Sequence, residues 1–288
     1  MARMSKVAIL TDSTAYLPQT LLDQYQIHVV PLGIIWGEET YQDGVDLKAE
    51  DFYRRLSTSK VMPTTSQIPV AVMQRTFQSL LDQDFDVLGI FISSKFSGTY
   101  QSAVQAREEL ASAAERVAVV DSLTTTMAMG WPVLTAARAA QAGASLVHCR
   151  KAAENARDHS GVLFVVETLE FLRRGGRIGG AQALLGNLLN VKPVLQMQDG
   201  RIEPVEKVRT KRKAMQRVVD VVAERVGAQS PVRLAVAHAD SAGDAAWLME
   251  SATTQMSPTE TLVCPLSPVI GAHAGPGTVS LNYMCGVE

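Results

Sequence analysis

The run Val87–Ile92 reads Val-Leu-Gly-Ile-Phe-Ile, without one polar side chain. A strand with one wet face alternates apolar and polar residues; an unbroken apolar run must be covered on both faces. That requires a central strand in a sheet with helices on either side. The flanking sequence supplies both. Short apolar runs at Lys6–Leu10, Ile27–Leu32 and Val117–Val120 predict further strands. Helices are expected over Pro18–Gln24, Lys48–Leu56, Pro69–Leu81, Ser97–Leu110 and the Ala-rich Thr125–Ala142, which Gly143 ends. Strands alternating with helices argue for a largely parallel sheet. Ile34–Trp36 followed by Gly37–Tyr41 reads as a hairpin or a short strand and loop.

The pattern changes after a helix over Ser145–Asp158, which Ser145 can cap. Val162–Val166 is a strand, and Leu169–Arg173 a short helix running into the glycine-rich stretch Gly175–Gly180. Pro193–Met197 and Arg201–Val208 flank Asp199-Gly200, a strong hairpin signal. A helix over Thr210–Val226, a strand at Arg233–Ala237, a helix over Asp244–Thr254 and closing strands at Thr261–Cys264 and Thr278–Tyr283 follow. The fold class is α/β in two domains. Residues 1–160 form an N-terminal domain with a mostly parallel sheet and flanking helices; residues 161–288 form a C-terminal α/β domain with a mixed sheet. The 288 residues suit two domains of roughly 150 each.

Composition removes several function classes. With 47% hydrophobic and 19% charged residues the chain can form real cores. A net charge of −2 gives no electrostatic case for nucleic acid. No apolar run approaches the ~18–20 residues that span a bilayer, so no transmembrane segment is expected. The N-terminal Met-Ala-Arg-Met-Ser-Lys has weak signal character, but Val7–Leu10 is too short for the apolar region of a signal peptide. Cys149, Cys264 and Cys285 form neither a disulfide framework nor a metal pair. A cytoplasmic setting is the simplest reading, with no metal and no cofactor.

The strands run into hydroxyl-rich loops: Thr11–Thr14, Ser93–Thr99 and Asp121–Thr124. A fourth cluster, Pro63–Gln67, precedes a helix. Ligands bind at the carboxyl edge of open parallel sheets. Hydroxyls and the free N–H groups of a helix start suit a carboxylate or phosphate, although helix capping uses the same residues. Gly271–Gly277 presents His273 in a loop of glycines and a proline. There is no GxSxG, Walker A, HExxH or intact GxGxxG motif. Lys207, Arg209, Lys211, Arg212 and Lys213 form a basic cluster, read as a solvated face or a docking patch.

These residues carry a resemblance to the DegV family of bacterial fatty-acid-binding proteins. The matching pieces are Thr11-Asp12-Ser13-Thr14, Thr65-Ser66-Gln67, Ser93 through Ala103, Leu169 through Ile178, Lys207-Val208-Arg209 and His273-Ala274-Gly275-Pro276-Gly277. Ile68 before Pro69, and Phe96 where Leu is usual, depart from the family pattern and bear on chain-length preference. The resemblance implies one long-chain fatty acid, such as palmitate, in a pocket completed by the second domain. It implies that Thr65, Ser94 and His273 hold the carboxylate, with Ser93 close behind. It also implies a non-enzymatic carrier that presents the acid to a separate ATP-dependent kinase for acyl-phosphate formation. Arg177, in its glycine-rich loop, and Arg209 are the residues expected to dock that kinase. Two other readings stay open: an α/β acyl hydrolase or phosphotransferase subunit using Ser94 and His273, and a binding module for a phosphorylated metabolite.

Overall fold

The computed structural model describes residues 6–187 and 191–288; the N-terminal stretch read for signal character lies outside them but for Lys6. Strands β1 (Lys6–Asp12), β2 (His28–Val30), β6 (Phe85–Phe91) and β7 (Val117–Asp121) form an all-parallel sheet in the order β2-β1-β6-β7. The apolar run lies mostly on β6, flanked by β1 and β7, and Val87 through Ile92 are buried. Between β2 and β6 the chain makes a small antiparallel sheet, β4-β3-β5, from β3 (Gly33–Trp36), β4 (Glu39–Gln42) and β5 (Thr64–Ser66). The sequence announces the β3–β4 hairpin. It does not announce β5, a three-residue edge strand of hydroxyl residues with no apolar alternation.

Helices α1 (Gln19–Tyr25), α2 (Ala49–Leu56), α3 (Val70–Asp82), α4 (Thr99–Glu108), α5 (Thr126–Gln141) and α6 (Leu146–Asp158) complete this half. In α5 every residue from Thr126 to Ala137 is buried. Met127–Leu134 has no polar side chain on any face of the helix, which places it inside a protein, and α5 packs on β1 and β6 of one sheet and on strands of the next.

That next sheet is six-stranded and mixed, in the order β10-β9-β8-β13-β11-β12. Its strands are β8 (Ser160–Val165), β9 (Lys192–Gln198), β10 (Arg201–Val208), β11 (Val232–His238), β12 (Glu260–Pro265) and β13 (Val279–Cys285). Only β11 and β12 run parallel; the other neighbours are antiparallel. Asp199 and Gly200 both take positive φ in the β9–β10 turn, as the Asp-Gly signal requires. Helices α8 (Lys211–Val226) and α9 (Ala242–Met256) pack on this sheet, and α7 (Glu170–Arg174) and α10 (Pro268–Ala274) lie against each other. The Gly271–Gly277 segment is therefore not all loop. His273 sits in the last turn of α10, and Gly275 and Gly277, at φ +78° and +77°, turn the chain into β13.

Candidate functional site

The carboxyl edge of the parallel sheet faces the mixed sheet across a cavity of about 340 Å³. Its walls are mainly apolar: Ile92 after β6, Phe164 on β8, Met197 on β9, Ile202 on β10, and Leu266 and Val269 around the start of α10. The lining also carries polar side chains, and several of them come together. Thr65 Oγ1, on β5, lies 2.8 Å from Nε2 of His273. β5 is paired in register with β3, Thr65 opposite Ile34, which fixes the hydroxyl. The His273 ring is admitted by Gly175, where a Cβ would overlap Nδ1. That nitrogen is buried with no hydrogen-bond partner among the described residues. Burial, with the Arg177 guanidinium second, holds the imidazole down to about 4. The ring is neutral at physiological pH, with one N–H to donate.

Arg177 also lines the cavity. Its Nε donates to the Phe96 carbonyl at 3.2 Å and its Nη1 to the Gly175 carbonyl at 2.6 Å. No carboxylate pairs with it among the described residues. This half-buried cation at the rim of an apolar cavity differs from the freely projecting side chain expected from its glycine-rich loop. Ser97 and Gly98, just before α4, line the cavity too. Ser97 Oγ lies 2.9 Å from Thr99 Oγ1, and either can donate. Gln67 donates to Ser102 Oγ at 3.0 Å, and Gly98 leaves room for its carboxamide.

Of the other expected site residues, Ser94 is exposed and lies outside the cavity lining; its backbone N–H donates to the Asp121 carboxylate at 3.2 Å. Ser93 is fully buried but also outside the lining, donating to the Gly200 carbonyl at 2.9 Å. Ser93 therefore ties the β6 loop to the β9–β10 turn. The physical reason is the path of the chain after β6: Ser93 turns inward to the β9–β10 turn, Ser94 faces outward, and Ser97 is the serine of this loop that reaches the cavity. The signal for Ser97 was present in the sequence, in the Ser97-Gly98-Thr99 helix start. Thr11–Thr14 serves the scaffold: Asp12 accepts from the Ile92 N–H at 2.8 Å and from Thr14, and burial raises its pKa despite those bonds.

Arg209 is exposed, as are Lys207, Arg212 and Lys213. Two members of the basic cluster have local work. Lys211 bridges Glu167 and Asp244 at 2.7 Å each, and the Arg212 guanidinium stacks 3.5 Å over Trp247. Among the described residues no group of three or more His, Cys, Asp or Glu side chains could hold a metal ion, and no helix is long and apolar enough to cross a membrane.

Comparison with known proteins places this geometry among relatives. The model of the DegV family, described as uncharacterised proteins, matches residues 6–285. A DegV domain-containing protein of Halalkalibacterium halodurans is 38% identical over 283 residues, covering 97% of this chain and 99% of that one. A fatty-acid-binding DegV family protein of Thermus thermophilus is similar in structure, with a TM-score of 0.91, 34% identity and coverage of 97% and 99% of the two chains. The fatty-acid-binding protein DegV of Bacillus subtilis gives a TM-score of 0.88 at 34% identity, covering 98% and 99%. A stearic acid-binding protein of Eubacterium ventriosum gives 0.89 at 25% identity, covering 98% and 99%.

Proposed function

We propose that this chain, which belongs to the DegV family, holds one long-chain fatty acid in the cavity between its sheets and presents the carboxylate to a separate ATP-dependent kinase for acyl-phosphate formation. The observation that carries the binding is the pairing of opposites in one cavity. Its walls are mostly hydrocarbon, yet it holds a guanidinium without a carboxylate partner beside the Thr65–His273 pair. A buried anion needs donors and a countercharge, and a long alkyl chain needs an apolar wall. Sheathing about fifteen methylenes at about 0.8 kcal/mol each supplies a gross term of roughly 12 kcal/mol before the costs of association.

The carboxylate is assigned to Thr65, His273, Arg177 and Ser97. Ser94 and Ser93 leave this set because neither lines the cavity. The hydrolase alternative loses its support for the same reason: Ser94 is exposed outside the cavity that His273 lines, and His273 Nε2 engages Thr65 instead. The phosphorylated-metabolite reading is disfavoured by the mostly apolar walls. The hand-over face is assigned to Arg209 with Lys207 and Lys213, exposed cations suited to carboxylates or nucleotide phosphates. Measuring bound acid and kinase-coupled acyl-phosphate yield on the same preparations tests both halves. Arg209→Ala should keep the acid and lower the yield, most visibly at low salt. An undiminished yield would remove this face from the mechanism.

A further inference from the structure

Asp43 follows β4 and is buried, 2% exposed. Its Oδ2 accepts from the Ser13 hydroxyl at 2.7 Å and its Oδ1 from the Val269 backbone N–H at 3.3 Å. No cation pairs with it among the described residues. Lys48, which lines the same open groove, donates to the Gly44 carbonyl instead. The other ionisable groups around it are Asp12, which adds repulsion, and the hydroxyls of Tyr16 and Tyr53. A buried carboxylate without a countercharge weighs against the fold, and burial pushes Asp43 up to about 6. Such a group calls for an explanation in what it holds.

It holds the start of α10. Val269 is in the first turn of that helix and His273 in the last. Two further contacts fix the same segment: the Tyr53 hydroxyl donates to the Leu266 carbonyl at 3.1 Å, and the Tyr16 hydroxyl lies 2.9 Å from that of Ser267. Leu266, Val269 and Ile270 line the acyl cavity, while Ser267 and Pro268 line the open groove. The segment is thus a wall shared by cavity and groove, gripped from the groove side by residues of the N-terminal half.

We propose that Asp43 is a positioning residue of the acyl site, fixing the start of α10 and through that helix the contact of His273 with Thr65. The proposal rests on the fatty-acid reading for its ligand, but its geometry can be read without ligand. In Asp43→Asn an amide oxygen still accepts from Val269, and the amide N–H₂ can donate to Ser13; in Asp43→Ala both partners lose their bond.

The experiment combines nitrogen-15 NMR of the His273 ring in ligand-free protein with hexadecanoic acid titration of wild type, Asp43→Ala, Asp43→Asn, Thr65→Val and the Asp43→Ala/Thr65→Val pair. Asp43→Ala should shift the His273 Nε2 signal as Thr65→Val does and weaken the acid about tenfold. Asp43→Asn should keep the wild-type ring signal and bind within about threefold of wild type. The Thr65→Val loss should shrink in the Asp43→Ala background, because the contact is already broken. The Asn variant should also melt above wild type at pH 7.5, with the gap closing toward pH 5. A carboxyl whose pKa is raised by folding contributes stability at low pH that is lost as pH rises through about 6. If Asp43→Ala does not fold, Ser13→Ala, which removes one donor to the carboxylate, should move the ring signal in the same direction by less. A ring signal unmoved by the folded variant, or additive losses with Thr65→Val, would overturn the proposal. Failure of wild type to bind the acid would overturn the fatty-acid reading instead, leaving the ring signal to decide this one.

Discussion

At the scale of single residues, the site turns on which side chains reach the cavity. Ser97→Ala and Thr65→Val should each lower fatty-acid affinity, by about 1–3 kcal/mol for a charged acceptor left short of a donor. Ser94→Ala should leave affinity unchanged, since Ser94 lies outside the lining. Titration of hexadecanoic acid into the three variants checks this, and an effect confined to Ser94 would reverse the assignment. Arg177→Met keeps an apolar stem and removes the guanidinium; it should cost about 1.5–3 kcal/mol of affinity, the range for bonds to charged groups. His273 brings a pH signature. Its pKa is lowered from 6.5 to about 4 by folding, so its neutral ring favours the fold above pH 6.5, and that contribution is lost as pH falls through about 4. Roughly 3 kcal/mol is at stake, at 1.36 kcal/mol per unit. Wild type should therefore lose melting temperature relative to His273→Gln between pH 6.5 and 4, and a constant difference across that range would contradict the buried, neutral ring.

At the scale of elements, the site depends on three short pieces, β5, α10 and the turn after α7, and these were the least legible in the sequence. β5 has three hydroxyl residues and no period to detect; its existence depends on pairing with β3. The glycines and proline around His273 mark the end of a helix as readily as a loop, because what makes Pro268–Ala274 helical is its packing against other elements. Flanking glycines predict a free Arg177, yet Gly175 serves to bring the backbone against the His273 ring. The long elements are legible throughout, since a buried strand such as Val87–Ile92 and a helix such as α5, without a polar side chain from Met127 to Leu134, write their surroundings into their composition. Thr65 and His273 stand in motifs legible in the sequence, and their contact belongs to the fold. Gly175→Ala tests the turn: its Cβ would displace the ring, so acid affinity should drop about tenfold while the melting temperature changes little. Unchanged affinity in titration would show that the ring tolerates displacement.

At the scale of the molecule, two sheets with one buried helix between them enclose an apolar space and leave their polar loops at its edges. The all-parallel sheet offers helix starts and hydroxyls at its carboxyl edge; the mixed sheet contributes the opposite wall, with Phe164, Met197 and Ile202. Neither sheet lines the cavity alone. On the proposed fatty-acid reading the protein should purify with its ligand, because emptying an apolar cavity into water forfeits the burial term. The most direct measurement is to purify the protein without added lipid, denature it, extract with organic solvent and quantify fatty acids by mass spectrometry against protein. About one long-chain fatty acid per chain is the predicted result. Protein that emerges without lipid, and that takes up no free fatty acid at micromolar concentration, would contradict the account.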